Sequence, residues 1–289
     1  MLSFNNDAAL KQQIIDHLNT IPVDDTLWKR TVLTWDGTAG SFVGHILKSE
    51  DLTAWENLGL PKWLALTLDC LLIMSFDLKA DIETNIKILN AIPVGKDIQH
   101  LGSQYLIELV NHDEFGIRKS TQNETLLSAL ASIVEIHQQC LKNEDVSPAT
   151  WRALRKKMVE NSQQFEYESL ESLISTFAEA AAWNPVNSRT AVSDSVRVWG
   201  RAQAKANPSP DWTPERDIHI RSLLDQLYQE AAKKRPEGSD EFINVFALLE
   251  DHSPEDADWV KGQVKWQNSQ PAIFNGQAVK LLIQLLAQA

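Results

Sequence analysis

The sequence predicts an all-α protein, a multi-helix array of roughly a dozen helices around a buried central helix. Three observations carry this. Only 11 Gly and 11 Pro punctuate 289 residues, and helix formers fill the spaces between them. Apolar residues recur every three or four positions through most of the chain, the period of a helix face. One stretch, residues 58–76, is apolar on nearly every face: Trp63, Leu64, Ala65, Leu66, Leu68, Cys70, Leu71, Leu72, Ile73, Met74 and Phe76. A helix that is apolar all round is a buried helix. It is also too short to cross a bilayer, which needs about 20 apolar residues, and Lys62, Asp69 and Asp77 interrupt or flank it. No membrane association is expected.

The elements follow in order. Asp7 stands before Ala8, Leu10, Ile14, Ile15 and Leu18, so a capped amphipathic helix is predicted over 8–20. Residues 26–47 admit two readings. Thr31-Val32-Leu33-Thr34-Trp35 suits a strand and Asp36-Gly37 a hairpin turn, whereas a helix, a glycine loop and a second helix would use Gly37, Gly40 and Gly44 for close backbone packing. The helical reading is preferred. Gly59 in the turn and Pro61 in the first helical position open the central helix. A helix over 81–92 turns Ile82, Ile86, Ile88 and Leu89 inward and stops at Pro93, which cannot continue it. Helices over 97–111 and 121–141 come next.

Three later helices open with the same chemistry: Ser147-Pro148, Thr213-Pro214-Glu215 and Ser253-Pro254-Glu255-Asp256. A hydroxyl caps, proline occupies the first turn, and in the last two acidic residues meet the positive end of the dipole. Further helices are predicted over 168–183 and 189–206, and Val279, Leu281, Leu282, Leu285 and Leu286 close the chain on another. Asn207-Pro208-Ser209-Pro210-Asp211-Trp212 reads as a linker. Two organisations therefore stay open: a main helical domain over 1–206 joined through a linker at 207–213 to a C-terminal helical segment over 214–289, or one single domain. No repeat of fixed period is visible.

Charge narrows the partners. Asp and Glu number 39 against 27 Lys and Arg, a net −12, which argues against a phosphate-neutralising surface and so against nucleic acid. A basic protein partner is electrostatically favoured, although acidity also serves solubility alone. Two cysteines, Cys70 and Cys140, make no disulfide framework. The opening Met1-Leu2-Ser3-Phe4-Asn5-Asn6-Asp7 has neither a basic nor an apolar signal region, so the expected location is cytoplasmic.

Gly40-Ser41-Phe42-Val43-Gly44-His45, then Leu58-Gly59-Leu60-Pro61 with Trp63-Leu64-Ala65 and Asp69, then Ala91-Ile92-Pro93-Val94-Gly95 with Asp97, resemble a group of uncharacterised bacterial all-helical proteins. The resemblance covers the first third of the chain. Some of these proteins are similar in general style to immunity proteins of bacterial toxin systems, which implies a helical partner that neutralises an effector. No toxin-contacting residue and no activity is carried over.

Catalytic motifs are missing. Gly37-Thr38-Ala39-Gly40-Ser41-Phe42-Val43-Gly44-His45 has the glycines of a phosphate loop but not its lysine, so packing is the stronger reading. The seven histidines show no pair at metal-ligand spacing, no nucleophile elbow occurs, and neither cysteine neighbours a base. Paired carboxylates such as Asp24-Asp25 and Glu255-Asp256 read as caps. Arg197, Arg201 and Lys205 form a basic stripe around Trp199, and Arg152, Arg155, Lys156 and Lys157 a second basic cluster; either could hold a phosphate or an acidic partner, and a solvated face is the plainer alternative.

Ten tryptophans are the unusual feature, most of them at helical spacing and read as core. Trp212 and Trp266 are the interface candidates, with Asp256 and Asp258 as acidic partner contacts. The leading expectation is a non-catalytic protein that binds another, basic protein, as an acidic immunity or antitoxin-like partner would. Catalytic residues, metal ligands and cofactors are not expected. Two alternatives stand beside it: an enzyme with a site in a helical cleft near His45, with Arg197 and Arg201 as ligand contacts, and a homo-oligomeric scaffold.

Overall fold

Asp7 caps the first helix as its position predicts: its carboxylate accepts Ala9 N and Leu10 N at 2.8 and 3.2 Å, and α1 runs Ala8–Thr20. The computed structural model describes residues 1–73, 77–236 and 242–289. Met74 and Phe76, assigned above to the central helix, lie outside the described residues, as do the side chains of Leu72 and Ile73. The described residues contain thirteen α-helices and no strand, an all-α fold. After α1 come α2 (Phe42–Leu47), α3 (Leu52–Glu56), α4 (Lys62–Ile73), α5 (Leu78–Ala91), α6 (Leu101–Asn111) and α7 (Glu124–Leu141). Then follow α8 (Pro148–Ser162), α9 (Leu170–Ala181), α10 (Ala191–Ala206), α11 (Pro214–Lys234), α12 (Val245–His252) and α13 (Pro254–Ala287). No described helix is long and apolar enough to cross a membrane.

The chain divides into two units, one of residues 1–206 with 271–289 and one of residues 207–270. The segment 214–289, read from sequence as one piece, is thus shared between them. Its two predicted helices, one opened by Ser253-Pro254 and one carrying the C-terminal leucines, are the single helix α13.

In the first unit α4 is the buried centre. From Trp63 to Leu71 every side chain of α4 is at most 7% exposed, including the polar Thr67 and Asp69. The polar groups are satisfied locally: Thr67 Oγ1 donates to Trp63 O (2.6 Å), and the indole of Trp63 to Gln99 O (3.1 Å). Helices α2, α3, α5 and α10 pack against α4, and Leu106 and Leu109 of α6, Leu130 and Ile133 of α7, Ile174 and Phe177 of α9, Trp199 of α10 and Leu282 and Leu286 of α13 lie in the same core. Burying a side chain of this size contributes about 1.5–3 kcal/mol. The second unit has a smaller core of Leu227, Leu249 and Ala257, backed by Leu223, Leu224, Val245, Leu248 and Val260.

Three predicted starts move because a nearer cap wins, and a fourth moves without one. Asn123 accepts Thr125 N and Leu126 N, Ser169 accepts Ser172 N, and Asp77 accepts Ala80 N, so these helices start where the caps stand. The helix predicted over 97–111 begins at Leu101, because Asp97 spends its carboxylate on a turn, accepting Gln99 N at 3.0 Å.

Residues 26–47 correct the helical preference. Residues 26–41 form an irregular loop with two isolated bridges, Trp28 to Gly40 and Trp35 to Gly40, and only the last six residues of the segment become α2. The Asp36-Gly37 turn forms, with Asp36 Oδ1 accepting Thr38 N and Ala39 N at 3.0 and 2.7 Å, but the flanking residues do not pair as strands. The glycines do allow close approach. A Cβ on Gly40 would lie 2.7 Å from Thr34 O, and one on Gly44 only 1.9 Å from it.

Candidate functional site

Asp69 explains the loop. This carboxylate, fully buried in the middle of α4, accepts Leu33 N on Oδ2 (2.8 Å) and Val43 N on Oδ1 (2.9 Å). Ser41, whose Oγ caps α2 by accepting Gly44 N at 3.0 Å, and Phe42 N add further hydrogen bonds to it. Burial outweighs these donors and pushes Asp69 up to about 6. His45 packs against the same loop. It is 2% exposed, its Nε2 lies 3.0 Å from Leu27 O, and its ring stands 4.5 Å from that of Trp28 and 5.2 Å from that of Trp35. Burial lowers its pKa, so the neutral ring serves as a core residue that ties α2 to residues 27–35. Among the described residues no group of three His, Cys, Asp or Glu side chains could hold a metal ion.

A second candidate in the first unit is a cleft elsewhere. It has a volume of about 990 Å³ and opens between α8, α9, the turn at 182–190 and α10. Here two basic runs that the sequence separates come together: Arg152 and Arg155 from α8 with Arg197 from α10, joined by Arg189 from the turn. The facing carboxylates are Glu179 and Asp194. Arg155 Nη2 pairs with Glu179 Oε1 at 2.9 Å while its Cζ sits 5.0 Å from the centre of the Trp183 ring. Arg197 Nη2 lies 3.5 Å from Asp194 Oδ1. Arg201, predicted beside Arg197, instead meets Glu168, with Nη2 at 2.6 and 2.7 Å from its two oxygens, and does not line the cleft.

Trp151 forms part of the wall and is held from behind by His137, their rings 5.3 Å apart and edge-on. His137 is fully buried. Its Nε2–H donates to Ala181 O (2.8 Å), so Nδ1 accepts the Ser103 hydroxyl (3.1 Å). Burial pushes this imidazole down to about 4, which keeps it neutral. Sequence reading counts Trp183 with the core, yet it is 42% exposed on the cleft. The signal was its place beside Asn184-Pro185, past the end of its helix.

In the second unit, the segment read as a linker is a strap tied along α13. Trp266 Nε1 donates to Asn207 O (3.1 Å), Trp259 Nε1 to Asp211 O (3.2 Å), and Ser209 Oγ lies 2.7 Å from Gln263 Oε1. Trp266 is therefore half-buried and engaged, while Trp212 on the strap is 36% exposed. Asp256 accepts the Ser253 hydroxyl (2.8 Å) and lies 3.7 Å from Arg216, so it serves its own helix start. Asp258, 80% exposed, has only a loose pairing with Lys261 at 3.7 Å. Phe246, Ala257, Val260 and Val264 form an apolar groove of about 500 Å³, edged by Glu250, Lys261 and Lys265.

Compared with protein families, curated proteins and solved structures, the chain gives no match in any of the three.

Proposed function

We propose that the chain is a cytoplasmic, non-catalytic binding protein whose second unit covers a basic protein partner, in the manner of an immunity protein or antitoxin. One observation supports this most. Residues 207–270 hold 13 acidic against 7 basic side chains, half of the net −12 of the whole chain, and the same 64 residues expose Trp212, Ile218, Tyr228, Phe242, Phe246 and Val264. Exposed apolar anchors give an interface its binding energy, and a surrounding single-sign charge steers and selects the partner. Asp258 and Trp212 remain the contacts expected from sequence; Asp256 and Trp266 act mainly by shaping the surface that presents them.

The test compares the tagged chain with a variant carrying Asp251→Asn, Glu255→Gln and Asp258→Asn, all at exposed positions. Native lysate is passed over both. The expected result is one basic protein held in equimolar amount by the parent, released as salt rises, inhibited in its own activity while bound, and held less by the variant. An empty column, or a partner held equally by both chains, would overturn the proposal.

A further inference from the structure

We propose that the arginine cleft of the first unit binds a small organic phosphate, with a phosphate or diphosphate head and a planar or apolar body. This site is separate from the protein-binding surface proposed above and stands or falls by itself.

The charge comes first. Four guanidiniums, Arg152, Arg155, Arg189 and Arg197, face two carboxylates, Glu179 and Asp194, leaving a local excess of positive charge in a strongly acidic chain. Such a gathering is self-repulsive and is relieved by a bound dianion. Moreover, the two kinds of arginine differ. Arg155 is already placed, by Glu179 on one side and the Trp183 ring on the other, so it loses little freedom on binding. Arg152 and Arg189 are exposed, and neither has a carboxylate within 4.0 Å among the described residues. Their forks are open to the paired oxygens of a phosphate, a geometry in which two parallel N–H donors meet one anion.

The rest of the cleft selects the body. Val146, Pro148 and Val198 give an apolar wall alongside Trp151 and Trp183. A volume of about 990 Å³ exceeds what an inorganic ion needs and suits a ligand of nucleotide size. Thr190 at the opening of α10 places the positive end of a 16-residue helix in the same cleft, which adds to the field without creating the site.

Isothermal titration of the intact chain with ADP, inorganic pyrophosphate, adenosine and citrate, at low and at moderate salt, tests this. ADP is expected to bind once per chain, pyrophosphate more weakly, adenosine and citrate more weakly still, with ADP affinity falling as salt rises. The double variant Arg152→Gln/Arg189→Gln should weaken ADP by roughly tenfold or more, while Arg201→Gln, outside the cleft, leaves it unchanged. Circular dichroism and the thermal midpoint confirm that each variant is folded; both cleft substitutions lie at exposed positions without ion pairs, so they should be. Failure of ADP and pyrophosphate to bind, ADP binding that ignores the double variant, or citrate binding as tightly as ADP would overturn the proposal.

Discussion

Acidification from pH 7.5 to 4.5 should act on two buried groups with opposite consequences. His137 is held at about 4 by burial, against an ordinary value of 6.5. Between those values the unfolded chain binds a proton that the folded chain refuses, so stability is full above pH 6.5 and is lost as pH falls through 4. At about 1.4 kcal/mol per pH unit of separation, the loss by pH 4.5 is roughly 2 to 3 kcal/mol. Asp69 is raised by burial from 3.8 to about 6, so the folded chain takes up that proton first. Its contribution is full below pH 3.8 and is lost as pH rises through 6, and the same acidification therefore adds about 2 kcal/mol. The parent should feel these two terms nearly cancel. His137→Gln, whose amide can still donate to Ala181 O and accept from Ser103, should gain about 2 kcal/mol relative to the parent between pH 7.5 and 4.5, and Asp69→Asn should lose a similar amount. Urea unfolding at 25 °C followed by tryptophan fluorescence, at four pH values across this range, reads the difference, because the remaining carboxylates are common to all three proteins. Variants with the parent's pH slope would refute the reasoning.

Two glycines and two cysteines give further tests. Gly44→Ala drives a Cβ to within 1.9 Å of Thr34 O and should cost about 1–3 kcal/mol or more, whereas Gly262→Ala meets nothing within 4 Å on an exposed turn of α13 and should gain up to about 1 kcal/mol; urea midpoints compare them. Burial pushes the Cys70 thiol up to about 11 and raises that of Cys140, so neither should react with a thiol reagent until urea unfolds the chain. Rapid labelling of the folded protein would contradict the burial of both.

Some helix starts were legible from local capping chemistry, while the equally local caps Asp77, Asn123 and Ser169 were passed over. Asp7, Ser147-Pro148 and Thr213-Pro214 each hold their own helix, and the all-round apolar run placed α4 at the centre because a single stretch carries that information. The loop at 26–41 was not legible. Its geometry is set by Asp69, a carboxylate 36 residues beyond Leu33 that supplies the acceptors a strand partner or helix turn would otherwise supply. The arginine cleft was half legible for the same reason: both basic runs stand out in the sequence, but only the packing of α9 against both α8 and α10 brings Arg152 and Arg155 to Arg197 and sends Arg201 to Glu168. Exposure of Trp183 and engagement of Trp266 likewise depend on neighbours distant in sequence, Arg155 and Asn207.

The acidic second unit is proposed as a binding face. The most direct measurement is the dissociation constant of the captured partner across a salt series, for the parent chain and for the variant neutralised at Asp251, Glu255 and Asp258. The parent should bind tightly at low salt and lose affinity as salt rises, and the variant should be weaker at low salt and less sensitive to it. Affinity that is independent of salt and identical in the two chains would contradict it.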